Sequence, residues 1–350
     1  MKAALIANTP AQLHFYEAVA NVLAERGHES VLLVRDYGET GALLQEKGLA
    51  HRQFAAAPRS KWGKVLALPG DVRRAARIMR QEKADVVSGF GTYDAYASTL
   101  ARLPCVVFTD SEPRCNTRTF AIQVKMFMPF VDEVVTPSFF RDDLGKKQRR
   151  VESIKEWAYL WPTRRNPAPR PDFLGIPDDR PYALVRLNAF DAVHDAGVRG
   201  FDDRRLADLV GRLQEHMAVF ISPEAQPPKG LEHLVLPGPR NAIHAVLEHA
   251  SLLVTDTQTM ASEAALLGTP TVRSNDFVGP NDMGNFIMLE ERGMMVNHAD
   301  PEAAIEAAGV YAAKGAEAKA KARELAAAYQ SDSEDVAAFM ADRLEAHARQ

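Results

Sequence analysis

A polar turn followed one helical turn later by a carboxylate is the part of this chain best suited to bind an anionic ligand. The turn is Thr257, Gln258 and Thr259, and Glu263 lies four residues beyond Thr259. An apolar run, Leu252–Val254, precedes the turn and predicts a buried parallel strand, and Met260–Leu267 has helical spacing. The free N–H groups at such a helix N-terminus bind phosphate, and Glu263 on the same face can accept hydrogen bonds from a ribose diol. The alternative is an ordinary strand–turn–helix unit with a solvated Glu263, and the spacing alone leaves both open.

The segment Thr257–Pro270 reads T-x-x-x-x-S-E-A-A-x-x-G-T-P and resembles the nucleotide-sugar motif of GT-B glycosyltransferases. The peptidoglycan N-acetylglucosaminyltransferase and the non-hydrolysing UDP-GlcNAc 2-epimerases carry versions of it, and the resemblance implies that Glu263 holds the ribose. As far as Asn285 the chain also resembles the prokaryotic domain-of-unknown-function 354 family, which is grouped with GT-B-like proteins. The implied fold is α/β and GT-B-like, with two Rossmann-like domains whose parallel sheets face a central cleft.

The composition is that of a soluble globular protein with two domains. The chain has 350 residues, of which 46% are hydrophobic and 25% charged, and its net charge of −4 gives no reason to expect nucleic-acid binding. Two cysteines, Cys105 and Cys115, with no CxxC pair and no cluster of histidines, predict neither a metal site nor a cofactor, and favour a cytoplasmic location.

Alternating strands and helices predict a domain over 1–165, a second over 178–330, and a last helix within 331–350 that packs back on the first domain. A stretch with many prolines and aromatic residues, 148–180, is the predicted passage between the domains. The predicted strands of the first domain are 2–7, 30–34, 50–54, 85–88, 104–109 and 133–136, the last closing the sheet before Pro137. Those of the second are 182–187, 218–221, 234–236, 252–254 and 271–272.

Polar residues follow the predicted strands of the first domain, where ligands bind in open α/β sheets. His14 lies near the start of the first helix and is the predicted general base, while Asp110 and Glu112 are alternative bases or partners that orient His14. Asn8 is a predicted contact of the nucleotide sugar. A packing or capping role for His14 is an equal alternative.

The second domain has two further groups of candidates besides the turn and Glu263. Arg186 and Asn188 lie at the end of its first strand, and His194 lies in the segment that follows. Arg186 or His194 could neutralise a diphosphate, since no metal motif is present to do so. The loop 277–285 is rich in Gly, Pro, Asn and Asp, and the resemblance implies that it touches the donor sugar. The predicted sugar contacts are Asn281, Asp282 and Asn285.

The leading hypothesis is a metal-independent glycosyltransferase that uses a nucleotide-diphosphate sugar, implied to be UDP-linked, with a lipid-linked or surface-polysaccharide acceptor. One alternative is a non-hydrolysing 2-epimerase, although its G-T-R-P-E and H-R-R-E-N segments are replaced here by Asn8–Gln12 and Arg186–Phe190. Another is a non-catalytic nucleotide-sugar-binding protein.

The stretch 61–83 mixes apolar and basic residues, including Trp62 and Arg80. It predicts a surface helix with a solvated basic face. The alternative is a weak contact with the inner face of the membrane through Trp62–Arg80.

Overall fold

Two parallel β-sheets organise the structure, a computed structural model that describes residues 1–36, 40–56, 61–115, 118–163, 169–188, 201–224 and 228–348. The chain divides into two compact units. The first comprises Met1–Arg164 with Ser333–Gln350, and the second comprises Arg165–Asp332.

The first unit contains a seven-stranded sheet in the order β3-β2-β1-β4-β5-β6-β7. Its strands are β1 (Lys2–Ala7), β2 (Glu29–Asp36), β3 (Arg52–Ala56), β4 (Val86–Gly89), β5 (Cys105–Phe108), β6 (Glu133–Pro137) and β7 (Gln148–Val151). The central strands are almost continuously apolar and buried, as expected for a parallel sheet covered by helices on both faces. The order reverses between β1 and β4, so these two neighbours mark a topological switch point.

Seven helices of the first unit are described. They are α1 (Pro10–Glu25), α2 (Thr40–Lys47), α3 (Lys61–Gln81), α4 (Tyr93–Ala101), α5 (Arg118–Phe127), α6 (Trp157–Leu160) and, from the end of the chain, α13 (Val336–His347), with a 3-10 helix at Met128–Phe130. The last helix packs against α1, α6, β4 and β5. Arg343 ties it down by donating to both carboxylate oxygens of the buried Glu133, at 2.6 and 2.7 Å.

The second unit contains a five-stranded parallel sheet in the order β12-β11-β10-β8-β9. Its strands are β8 (Tyr182–Leu187), β9 (Ala218–Pro223), β10 (Leu252–Thr255), β11 (Thr271–Ser274) and β12 (Val296–His298). The described helices are α7 (Asp203–Gln214), α8 (Ile243–His249), α9 (Thr259–Leu266), α10 (Gly284–Glu291), α11 (Pro301–Lys314) and α12 (Ala316–Asp332), with 3-10 helices at Asp172–Leu174, Glu232–Leu234 and Arg240–Ala242. This sheet has its switch point between β8 and β10.

The end of α9 requires a glycine. Gly268 has a φ of +68°, a left-handed conformation that stops the helix and that glycine adopts without strain. A Cβ at this position would also lie 2.8 Å from the Cα of Arg323 in α12. The sequence of the motif therefore specifies both the length of α9 and the close approach of α12.

Three expectations about the elements are wrong. β6 does not close the first sheet, because β7 pairs with it in parallel. Residues 234–236 form no strand. Leu234 ends the 3-10 helix Glu232–Leu234, and Val235 makes a single bridge to Ile221. The first part of the predicted passage, as far as Leu160, lies in the first unit as β7 and α6. Within the described ranges no helix has the length and apolar content needed to cross a membrane.

Candidate functional site

The carboxyl ends of β8 and β10 lie side by side at the switch point of the second sheet. Arg186 in β8 is paired in register with Thr255 in β10. Just beyond the strands, the backbone N–H of Asn188 donates to Asp256 Oδ1 at 2.7 Å. The backbone carbonyl of Asp256 accepts from Asn275 Nδ2 at 3.0 Å. The turns after three neighbouring strands are thus held together by hydrogen bonds at the edge where α/β sheets bind ligands.

Burial raises the pKa of Asp256 to about 7, and the hydrogen bond from the Asn188 N–H opposes that shift. The side chain lies immediately before the turn that leads into α9. In its protonated form, Asp256 places no negative charge beside a bound anion. A carboxyl group in this position is therefore compatible with a phosphate site.

The turn before α9 leaves the first backbone N–H groups of the helix without a side-chain cap. Gln258 occupies the N-cap position and makes no side-chain capping hydrogen bond. The Thr257 hydroxyl is turned inward, 2.7 Å from the Thr255 hydroxyl, which also accepts from the Thr257 N–H at 2.9 Å. Gln258 and Thr259 are half-buried. The backbone of this turn, together with the helix dipole, therefore supplies the anion-binding groups, and the Thr257 hydroxyl stabilises the turn.

Glu263 is buried one turn into α9, with 6% of its surface exposed. Its Oε1 lies 3.2 Å from Nε2 of His244, a half-buried residue in the first turn of α8. Burying a carboxylate is costly unless it is paired and hydrogen-bonded, so a Glu in this position is unusual for a purely structural helix. Sequence reasoning missed His244, because its contact with Glu263 arises only from the packing of α8 on α9.

Arg186 projects from the end of β8, and 12% of its side chain is exposed. Its guanidinium donates to Glu224 Oε1 at 2.6 Å and to the Ser222 hydroxyl at 2.9 Å, so β8 and β9 hold it jointly. Glu224 is a charge partner of Arg186 that the sequence did not indicate. His194 lies outside the described residues.

The loop after β11 is anchored by a buried ion pair. Arg273, fully buried in β11, donates to the carboxylate of Asp282, and its guanidinium lies 3.7 Å from the ring centroid of Phe286. The other oxygen of Asp282 accepts from the Met283 N–H at 2.8 Å. Asp282, predicted to touch the sugar, therefore holds the loop in place.

The two asparagines of this loop differ in their surroundings. Asn281 is exposed, whereas Asn285 is buried in the first turn of α10 with its Nδ2 3.5 Å from the Ser262 hydroxyl of α9. Oδ1 of Asn285 is buried and accepts no hydrogen bond from the part of the chain that the structure describes. Asn285 thus lies beside α9, and its Oδ1 can accept a hydrogen bond from a hydroxyl group of a ligand.

In the first unit, the predicted residues lie near the switch point between β1 and β4. Thr9 caps α1 by accepting from the Gln12 N–H at 3.4 Å, and the Asn8 N–H donates to Gln12 Oε1 at 2.8 Å. His14 is half-buried in α1, with its Nδ1 4.0 Å from Glu17 and its ring centroid 5.2 Å from that of Tyr159. The segment that carries Tyr159 was predicted as interdomain passage, so this contact was missed.

The two alternative bases after β5 each contact a cation. Asp110 Oδ2 accepts from Lys155 Nζ at 2.7 Å. Glu112 is buried, accepts from the backbone N–H and guanidinium of Arg141, and lies 2.8 Å from the thiol of Cys115. Each of these carboxyl groups therefore already has a cationic partner on at least one oxygen atom. Among the described residues, no group of three or more acidic, histidine or cysteine side chains has the arrangement of a metal site.

No family model matches the chain, and no curated protein does. Membership of the domain-of-unknown-function 354 family therefore stays a prediction. Solved structures match over nearly the whole chain. A Staphylococcus aureus MnaA structure with UDP is 12% identical, with 99% of this chain and 95% of that chain covered and a TM-score of 0.69.

Two further solved structures give the same result. The Streptomyces glycosyltransferase SsfS6 with thymidine diphosphate is 15% identical, with coverages of 97% and 99% and a TM-score of 0.60. The UDP-GlcNAc 2-epimerase from Methanocaldococcus jannaschii is also 15% identical, with coverages of 88% and 91% and a TM-score of 0.62. At these identities the likeness establishes the fold: the chain is α/β and GT-B-like, with two Rossmann-like domains.

Proposed function

We propose that the protein is a metal-independent glycosyltransferase whose donor is a nucleotide-diphosphate sugar, UDP-linked in the simplest case. The single observation that carries the proposal is the arrangement around α9. A buried carboxylate, Glu263, follows an uncapped helix N-terminus by one turn, at the switch point of a parallel sheet. An anion site beside a diol-binding carboxylate fits the two polar parts of a nucleoside diphosphate.

The second unit binds the donor in this proposal. The amides at the start of α9 and the guanidinium of Arg186 stabilise the negative charge of the diphosphate, and Glu263, held by His244, accepts hydrogen bonds from the ribose. Asn285, whose Oδ1 is buried and accepts no hydrogen bond from the described residues, accepts from a hydroxyl of the sugar. The MnaA and SsfS6 structures contain UDP and thymidine diphosphate, respectively, which is consistent with a nucleoside-diphosphate donor.

The proposed base is His14 of the first unit. Its neutral imidazole removes the proton of an acceptor hydroxyl while the acceptor oxygen bonds to the anomeric carbon and the nucleoside diphosphate leaves. Glu17 Oε2 lies 4.0 Å from Nδ1 and also accepts from Lys47 Nζ at 2.6 Å, so this carboxylate beside the imidazole already has a cationic partner. His14 is preferred to Asp110 and Glu112, because Lys155 and Arg141 bind those carboxylates.

Mass spectrometry of nucleotide sugars incubated with the protein tests this function. Free nucleoside diphosphate that appears only when cell extract supplies an acceptor supports a transferase. A new sugar isomer formed without extract identifies a 2-epimerase instead. Donor binding with neither product identifies a non-catalytic binding protein. Absence of binding by every nucleotide sugar contradicts the proposal as a whole.

A further inference from the structure

Helix α5 has two apolar faces, and the described residues of the first unit cover only one of them. Val124 and Phe127 are buried in a cluster that includes residues of β5 and β6. On the other face, Ile122 is 55% exposed and Met126 54% exposed. The spacing of four residues continues to Phe130, in the 3-10 helix after α5, which is 44% exposed. A surface helix normally exposes polar residues opposite its buried face. The exposed face of α5 carries a stripe of apolar side chains instead.

The stripe extends onto the neighbouring helix α4. The ring of Phe130 lies 5.3 Å from that of Tyr96, and Leu100, one turn after Tyr96, is 44% exposed. Four of the five exposed large apolar side chains in the described ranges lie in this patch, which comprises Leu100, Ile122, Met126 and Phe130. The fifth, Val310, belongs to the second unit. Isolated exposed apolar residues need no explanation, but a contiguous group of them indicates an interaction surface.

Cationic side chains border the patch. Arg80 donates to the backbone carbonyl of Leu100 at 2.8 Å. Lys147 donates to the carbonyls of Met128 and Val131, on either side of Phe130, at 3.1 and 2.6 Å. Lys125 is exposed between Ile122 and Met126. The acidic neighbour Asp132 accepts from the Cys105 N–H at 2.8 Å.

These charges distinguish between the possible occupants of the patch. A second copy of this chain packed face to face would bring the same cations together, which is unfavourable. An anionic lipid surface accepts apolar side chains into its boundary layer and attracts Lys and Arg beside them. We propose that the patch Leu100, Ile122, Met126 and Phe130 docks the protein on an anionic lipid bilayer.

The patch differs from the basic stretch in which the sequence suggested a membrane contact. In the described part of α3, Arg73, Arg74 and Arg77 are exposed, whereas Ala76 and Met79 are buried. Among the described side chains of that helix, from Ala67 onward, no large apolar group is exposed. In this proposal α4 and α5 make the apolar contact, and the exposed arginines of α3 contribute to the long-range attraction.

Docking at this surface would also position the predicted acceptor side of the first unit. Gln123 of α5 donates to the Thr92 hydroxyl at 3.0 Å. The ring of Phe127 packs so closely on Gly91 that a Cβ there would lie 2.7 Å from a ring carbon. Both contacts tie α5 to the loop after β4, at the carboxyl edge of the first sheet. On the proposed function, docking would thus bring that edge close to a lipid-linked acceptor anchored in the bilayer.

Co-sedimentation with vesicles tests the proposal on the full chain. We expect binding to vesicles of phosphatidylglycerol mixed with phosphatidylcholine, weaker binding in high salt, and little binding to phosphatidylcholine alone. The double variant Ile122→Ser with Met126→Ser should lower the partition coefficient by roughly tenfold or more, because two side chains no longer insert. Lys125→Glu should lower it severalfold on anionic vesicles only.

Val310→Ser is the matched control, since Val310 is as exposed as Ile122 but lies in the other unit. Its partition should equal that of the wild type, and unchanged thermal melting should show that all variants fold. Equal partition of the double variant and the wild type would overturn the proposal, as would absence of wild-type binding to anionic vesicles. Sedimentation velocity tests whether a second copy of the chain binds the patch instead. If the wild type forms a dimer, the double variant is a monomer and neither binds vesicles, the patch is a dimer interface and the proposal is wrong.

Discussion

Replacement of Glu263 by Ala should weaken nucleotide binding by a predictable amount. The variant removes an ionised acceptor that is only 6% exposed and whose Oε1 lies 3.2 Å from His244 Nε2. Losing the hydrogen bonds to this charged group should cost about 1.5–3 kcal/mol in total, so the affinity for a nucleoside diphosphate should fall about ten- to a hundredfold. Glu263→Gln keeps the size and one acceptor oxygen and should cost less.

Calorimetric titration of uridine diphosphate and its 2′-deoxy analogue into each protein separates the ribose contact from other effects. The wild type should bind the deoxy analogue more weakly, and the Glu263→Ala variant should bind both alike, since the contact is already lost. Glu291→Ala, an exposed carboxylate in the same unit, is the control and should behave as the wild type. Melting temperatures report folding, because a buried side chain is removed and His244 loses a partner. A folded Glu263→Ala protein with wild-type affinity and wild-type discrimination would refute the reasoning.

Three further variants test other parts of the site. His14→Ala should lower turnover by roughly 10²–10⁴-fold with donor affinity unchanged, and equal rates would move the role of base to Asp110 or Glu112. Burial raises the pKa of Asp256 from 3.8 to about 7, so between these pH values the folded state binds one more proton than the unfolded state. The contribution of Asp256 to the free energy of unfolding therefore falls as the pH rises through this range. The melting temperature of the wild type should therefore fall between about pH 4 and pH 7 relative to Asp256→Asn, and parallel curves would contradict this. Asp282→Ala leaves Arg273 buried and uncompensated, so denaturant unfolding should show a loss of about 3–5 kcal/mol; a loss under about 1 kcal/mol would mean that the pair does not anchor the loop.

Several of the strands that sequence reasoning located are buried along their whole length. Val86–Gly89 and Leu252–Thr255 are short runs without charge, and such runs predict parallel strands directly. β7, with the sequence QRRV, was missed because an edge strand needs only one paired side and tolerates charged residues. Leu234–Leu236 was predicted as a strand because its residues are apolar, but only Val235 forms a bridge.

Among the site residues, sequence reasoning could predict those that act with sequence neighbours, but not the contacts between elements distant in sequence. Glu263 was predicted from neighbours in the same strand–turn–helix unit, which are contiguous in sequence; its place one turn into α9 is as expected, and its contact with a ribose stays a prediction. His244, Glu224 and Lys155 were missed, because each reaches its partner across packed elements whose spacing the sequence does not record. Arg273 lies within a strand whose neighbours are buried, so nothing in its local pattern marks it as the partner of Asp282.

The central claim is that a nucleoside diphosphate binds at the start of α9 with its ribose on Glu263. A crystal structure of the full chain with uridine diphosphate tests this most directly. We predict both ribose hydroxyls within hydrogen-bond distance of the Glu263 carboxylate, and phosphate oxygens on the backbone N–H groups from Gln258 to Met260. A nucleotide bound elsewhere, or one at this edge of the sheet whose ribose makes no contact with Glu263, would contradict the account.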